Sequence, residues 1–146
     1  MNNVVIAPFD NTMHRRETIV LWQTVFGYGT AHNEPGLVID QKVAEDDGLF
    51  FVAVADTGVV GSIMAGYDGH RGWLYSLAVA SEHRHRGIGT ELVRQAERAL
   101  TARGCMKIKL QIVQGNEAVQ AFYESLGYAA EVRVSMGKRI MENIRG

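Results

Sequence analysis

Apolar residues along this chain fall into two rhythms, and their alternation predicts the element order. Residues 4–7, 49–55, 59–67, 73–80 and 106–113 are short apolar or alternating runs bounded by turn residues, the signature of strands. Between them the spacing lengthens. Asp10 or Asn11 is expected to cap a helix running to about Phe26, with Ile19, Leu21, Trp22, Val25 and Phe26 on its inner side. Leu37, Val38, Val43 and Ala44 suit a second short helix that ends in the acidic run Glu45-Asp46-Asp47-Gly48. From about Gly87 to Arg103 the positions Ile88, Leu92, Val93, Ala96, Ala99 and Leu100 share one helical face, and Gly104 stands where a C-terminal cap is expected. Another helix is predicted from about Asn116 to Leu126, stopped by Gly127.

Turn chemistry fills the gaps. Gly27, Gly29, His32-Asn33 and Pro35-Gly36 read as a loop, Asp56-Thr57-Gly58 as a hairpin turn, and residues 67–72 as a loop before the fourth strand. Residues 130–141 are expected to give one or two strands. The resulting order, β-α-α-β-β-β-α-β-α-β with room for a final strand, is an α/β layered arrangement. It starts with a mostly antiparallel sheet, has a βαβα core and carries helices on both faces.

Composition narrows the class. A chain of 146 residues fits one domain, expected to span 1–146, and 47% hydrophobic with 21% charged residues is ordinary for a globular protein. The formal net charge of −1 argues against a polyanion binder, so no nucleic-acid partner is expected from the small basic patch at 83–86. Cys105 is the only cysteine, which leaves no intramolecular disulfide and points to a reducing, cytoplasmic setting. The first residues lack a signal-peptide plan and no apolar run approaches a membrane span, so no membrane partner is expected. His83 and His85 alternate with Glu82 and Arg84 as solvated turn residues, and no metal is expected. Cys105 reads as a small buried hydrophobe.

The chemistry concentrates in Arg84-His85-Arg86-Gly87-Ile88-Gly89-Thr90, where a strand feeds a basic, glycine-bearing turn that opens a helix. Free backbone N–H groups and the positive end of the helix dipole converge there on an anion. Gly87 and Gly89 carry no side chain to block those amides, and Arg84 and Arg86 add donors suited to phosphate. The Gly-Lys-Ser/Thr ending of a P-loop is absent, and the glycine turn comes too late for a dinucleotide fold.

Together with the preceding Leu77-Ala78-Val79, this run resembles the acetyl-CoA signature of the GCN5-related N-acetyltransferases, Arg/Gln-x-x-Gly-x-Gly/Ala. The stretch Asn116 to Tyr128 is similar to that family's second signature. Within the family the chain looks closest to small bacterial acetyltransferases with a Tyr-Asp-Gly-His-Arg-Gly loop before the signature strand. The resemblance implies acetyl-CoA as cosubstrate without a metal, and direct transfer of the acetyl group to a primary amine of a small molecule or peptide. It implies that the amides from His85 to Thr90 hold the pyrophosphate. The backbone of Leu77 and Val79 would pair with the pantetheine arm, Ala78 between them would belong to the same cofactor-binding stretch, and Asn116 would hydrogen-bond that arm. Tyr123 would donate a proton to the departing thiolate. The late strands of this fold often make homodimers. The alternative reading is a catalytically silent acyl-CoA-binding or sensor domain using the same cleft.

The acceptor side is less legible. Histone-type members carry a Glu early in the signature strand, where this chain has Trp73. Members that modify ribosomal protein N-termini carry a Glu five residues before the Asn, where this chain has Gln111. Asp68 and His70 are expected to shape a turn before they serve as a base, and Tyr75 to pack in the sheet. Glu34, Glu45 and Asp46 are candidates for meeting a cationic acceptor. Trp22, Phe26 and Trp73 read mainly as core.

Overall fold

The computed structural model describes residues 3–27 and 33–141. Five strands form one sheet in the order β1-β2-β3-β4-β5. These are β1 (Val5–Pro8), β2 (Phe50–Ala55), β3 (Gly58–Tyr67), β4 (Gly72–Val79) and β5 (Ile108–Leu110). The first four run antiparallel, and β5 joins β4 in parallel. Helices α1 (Arg15–Phe26) and α2 (Pro35–Glu45) cover one face, while α3 (Ile88–Ala102) and α4 (Glu117–Ser125) lie on the other.

Each face buries the stripe its helices offer. Ile88, Leu92, Val93, Ala96 and Leu100 of α3 pack on Phe51, Ala53, Ile63 and Leu74, so one side of the sheet is filled from a single long helix. Leu21 and Trp22 of α1 and Ile39 of α2 meet Phe50, Val52 and Met64 on the reverse side. Cys105 is buried, as its sequence context suggests; a Cβ at Gly72 would come within 2.8 Å of its sulfur. Among the described residues no helix is long and apolar enough to cross a membrane.

Element boundaries depart from the sequence reading in three places. Asp10 caps the turn before α1 rather than the helix: its carboxylate accepts from the Thr12 and Met13 amides at 2.8 and 2.9 Å, and α1 begins only at Arg15. Pro35 and Gly36 belong to α2 instead of the loop, because Pro suits the first helical turn and the Glu34 carboxylate accepts from the Gly36 and Leu37 amides. The rest of the predicted loop at 28–32 lies outside the described residues.

The third departure is at the end of the chain, where no strand forms among residues 129–141. The fifth strand is only three residues long, instead of the eight predicted, and gives a short edge. Side chains alone tie the tail to it. Lys107 and Lys109 pair with Glu131, whose carboxyl they hold down at about 2, and Gln111 Nε2 donates to Ser135 Oγ. Val132, Val134 and Met136 alternate as a strand would, yet they are exposed, so no burial rewards a ladder there.

An irregularity in β4 shapes the open side of the sheet. Tyr75 pairs with Met64 and Ala78 with Ser62, so Ser76 and Leu77 together face the single residue Ile63. This β-bulge puts Ser76 at a φ of 55°, left-handed for a residue that is not glycine. The extra residue shifts the side-chain alternation by one: Leu74 and Leu77 both turn to the α3 side, and Tyr75 and Ala78 to the other. A buried relay pins the bulge. Trp22 Nε1 donates to Ser62 Oγ at 2.8 Å, and Ser62 Oγ donates to the Ser76 carbonyl at 2.9 Å. Trp22 and Ser62 are each 0% exposed, so neither bond has water as a substitute. Replacing Ser62 by Ala strands the indole N–H and the Ser76 carbonyl, and a loss of about 1–3 kcal/mol is expected in urea unfolding; an unchanged unfolding midpoint would show that the relay does not hold the bulge.

Candidate functional site

The bulge coincides with a parting of strands. β4 pairs with β5 only through Gly72, Trp73 and Leu74, opposite Ile108, Lys109 and Leu110. From Tyr75 to Val79 it keeps its β3 partner but has none on the other side among the described residues. Leu77 and Val79, expected to pair with a pantetheine arm, therefore lie with Ala78 on an open stretch of strand edge.

Beyond Val79 the chain makes a short 3₁₀ turn at Ser81–His83 and then enters α3. His85 and Gly87 both adopt left-handed φ, 64° and 82°, on either side of Arg86. This turns the chain sharply into the helix and leaves Gly87 at the N-cap with no capping side chain. The first-turn amides of Ile88, Gly89 and Thr90 thus face outward with the helix dipole behind them. Nothing lies within 4 Å of the Cβ that Gly87 lacks, so the approach to these amides is open. Arg84 also braces the turn. Its Nε donates to the Val79 carbonyl at 3.0 Å, which ties the turn to the end of β4 and leaves the terminal guanidinium nitrogens outward.

The α4 residues approach from the side of β5. A Cβ on Gly89 would lie 3.3 Å from the Phe122 ring and 3.8 Å from the Val79 side chain, so the starts of α3 and α4 and the end of β4 meet at that glycine. Next to Phe122, Tyr123 is 6% exposed in the same apolar cluster as Ile88 and Leu92, with Leu77 and Val79 packed against it. Its ring sits edge-on to Phe122 and Tyr128, at 5.1 and 5.5 Å between centroids. The Tyr128 hydroxyl donates to Glu97 of α3 at 2.7 Å and anchors this aromatic group. Burial pushes the Tyr123 phenol up to about 12, and its hydroxyl makes no hydrogen bond to any described residue. Asn116 caps α4, accepting from the Val119 amide at 3.3 Å, while its amide nitrogen stays available as a donor.

A cavity of about 750 Å³ opens on the opposite face of the sheet, between α2 and the β3–β4 hairpin. Trp73 and Tyr75 line it, so these two aromatics are not core; Tyr75 is 41% exposed. Lys42 forms its floor with a side chain only 6% exposed. Its ammonium donates to Asp47 at 2.9 Å, to the Tyr75 hydroxyl at 3.2 Å and to the Ala65 carbonyl. Asp68 closes the hairpin turn, accepting from the His70 and Arg71 amides at 2.8 and 2.7 Å, and these bonds hold its carboxyl below the usual range. Glu34 is spent as the α2 cap. Asp46 ends α2 in a left-handed conformation, and among the acidic candidates Glu45 and Asp68 are those on the cavity wall.

The sequence carried quiet signals for what it did not reveal. Leu74 and Leu77 are apolar at a spacing of three inside a strand, a spacing that period-two alternation puts on one face only when a bulge intervenes. Lys42 falls three positions after Ile39 on the inner face of α2, an uncommon place for a lysine unless it is partnered.

Comparison with known proteins agrees with this arrangement. The sequence model of the Acetyltransferase (GNAT) family matches residues 16–128. The aminoglycoside N-acetyltransferase AAC(6')-Iy, solved with CoA, is similar in fold with a TM-score of 0.79 at 20% identity, over 97% of both chains. The glucosamine-6-phosphate N-acetyltransferase of Arabidopsis thaliana gives 0.70 at 18% identity, covering 95% of this chain and 99% of that one. The PaiA N-acetyltransferase of Thermoplasma acidophilum, solved with coenzyme A, gives 0.73 at 19%, covering 88% and 91%. With its family match spanning both signature stretches and the forked sheet between them, the chain belongs to the GNAT acetyltransferase family.

Proposed function

We propose that this N-acetyltransferase carries the acetyl group of acetyl-CoA directly to the primary amine of a small molecule. The observation that carries the reading is the open edge of β4 from Tyr75 to Val79, running into an uncapped helix start. A pantetheine arm is an extended chain with two amides, and an unpaired strand edge offers it the backbone of Leu77 and the amide of Val79, with Ala78 turned toward β3 between them. The diphosphate that follows suits the amides of His85 to Thr90, with Arg84 and Arg86 nearby. Asn116 has a spare amide donor for the same arm. Acceptors named for similar structures, an aminoglycoside and glucosamine-6-phosphate, are small amines and support that class of acceptor here.

The transfer needs no covalent enzyme intermediate. The neutral amine nitrogen attacks the thioester carbonyl, an N–C bond forms as the C–S bond breaks, the nitrogen's surplus proton passes to water, and the thiolate takes up a proton. Tyr123 is the hydrogen-bond donor that fits that sulfur. A phenol raised to about 12 stays protonated across the neutral range. It is a weaker acid than a free thiol near ~8.5, so its contribution is a hydrogen bond that strengthens as negative charge gathers on sulfur. An unpartnered hydroxyl on a buried ring also favours an enzyme over a silent acyl-CoA sensor, which has no use for a donor at that point.

Tyr123→Phe keeps the ring packing and removes only the donor. Steady-state kinetics should show kcat falling by roughly ten- to a hundredfold with the KM for acetyl-CoA within about twofold; an unchanged kcat would remove Tyr123 as the hydrogen-bond donor to the leaving sulfur. The wild-type rate should rise with pH as the acceptor amine deprotonates, with no descending limb from Tyr123 below about 12; a fall near neutral pH that vanishes in Tyr123→Phe would contradict this. Gly87→Val forces a β-branched residue into left-handed backbone at the helix start. Calorimetry should then show acetyl-CoA binding weakened by about tenfold or more, and unaltered affinity would contradict the proposed diphosphate site.

A further inference from the structure

The cavity between α2 and the β3–β4 hairpin is built with an excess of negative charge. Its wall carries the carboxylates of Glu45, Asp47 and Asp68, and among the described residues Lys42 is its one cationic side chain. Lys42 is already matched by Asp47 and two further oxygens, so its charge is internally compensated. What remains toward a ligand is Glu45, whose carboxylate has no hydrogen bond or ion pair among the described residues, and the second carboxylate oxygen of Asp68, which receives only a long 3.4 Å contact from Trp73 Nε1. The C-terminal end of α2, next to Glu45, adds the negative pole of a helix dipole. Between these groups the wall is apolar: Val38, Ala44, Met64, Tyr67 and Trp73.

Charge and position do opposite work at the two ends of this cavity. Tyr75 lies two residues before Leu77 along β4, roughly 7 Å away, so it is the part of the wall next to the proposed thioester site. Its hydroxyl accepts from Lys42 and keeps its own proton for a ligand. A lone carboxylate beside the reacting nitrogen stabilises the ammonium form, which cannot attack. The free carboxylates are therefore useful only against a charge that stays on the acceptor throughout the reaction. Asp68 stands at the hairpin tip, away from Leu77, and Glu45 one helical turn past Lys42.

Resting on the acetyl-transfer reading above, we propose that this cavity selects a diamine: the reacting amine lies beside Tyr75, an apolar spacer lies along Trp73 and Tyr67, and a second ammonium is held by Glu45 and Asp68. Lys42 is a positioning residue in this scheme, fixing Tyr75 without touching the acceptor.

Thiol release from acetyl-CoA tests this with three acceptors that share a five-carbon chain: cadaverine, pentylamine and aminovalerate. Cadaverine should exceed pentylamine at least about tenfold in kcat/KM, with aminovalerate slowest, and added salt should narrow the gap. Glu45→Gln should shrink the cadaverine-to-pentylamine ratio several-fold through the KM of cadaverine, whereas Asp56→Asn, on the β2–β3 turn, should leave the ratio unchanged. Equal rates for the two amines, a preference for aminovalerate, or a ratio unmoved by Glu45→Gln overturns the proposal. If none of the three is acetylated while calorimetry shows acetyl-CoA bound, the acceptor inference fails and the cofactor reading stands. If acetyl-CoA does not bind, both fail.

Discussion

The single residue inserted into β4 governs the rest of the molecule. With regular alternation β4 would continue as a flat partner between its neighbours. The bulge at Ser76 twists it instead, and twist is how a sheet parts from an edge strand. A left-handed serine costs on the order of 1–3 kcal/mol and persists only when its surroundings over-determine it. Here the surroundings are the Ser62 hydroxyl, which donates to the Ser76 carbonyl, and the Trp22 indole, which donates to that hydroxyl. The α1 helix therefore shapes the strand edge on which the cosubstrate is proposed to lie, although none of its residues is proposed to touch it.

The same bulge divides the chemistry between two faces. By shifting the alternation it sends Leu77 toward α3 and α4, where the open helix start and Tyr123 stand, and sends Tyr75 toward α2. One side is equipped for an anion with backbone amides and arginines, the other for a cation with carboxylates and aromatic walls. A transferase joining a polyanionic donor to an amine acceptor gains from such a division, because each substrate is drawn to its own face and repelled from the other. Lys42 looks like an exception, a cation on the side proposed for a cationic acceptor. Three oxygens around its ammonium turn it into a strut for Tyr75.

Much of the architecture was legible in the chain because it rests on local rules. The α3 stripe from Ile88 to Leu100, the hairpin at Asp56-Thr57-Gly58 and the glycine turn before α3 each state their structure within a few residues. The acceptor side was not legible in the same way. Tyr75 looked like a sheet residue, and only the α2 helix, some thirty residues away in sequence, decides that it borders a cavity. Glu34 and Glu45 looked equivalent as acidic candidates; capping geometry removed the first and left the second facing the cavity. The alternation of Val132, Val134 and Met136 promised a strand, but a strand also needs an edge to pair with, and β5 is too short to give one.

Hydrogen–deuterium exchange with and without acetyl-CoA addresses the central claim most directly, because that claim concerns backbone N–H groups that lack protein partners. On addition of acetyl-CoA, slowed exchange should concentrate in two stretches, around Leu77 and Val79 on the β4 edge and at 88–90 at the start of α3. Saturating acetyl-CoA that leaves both stretches exchanging as before, with protection appearing elsewhere, would contradict the account.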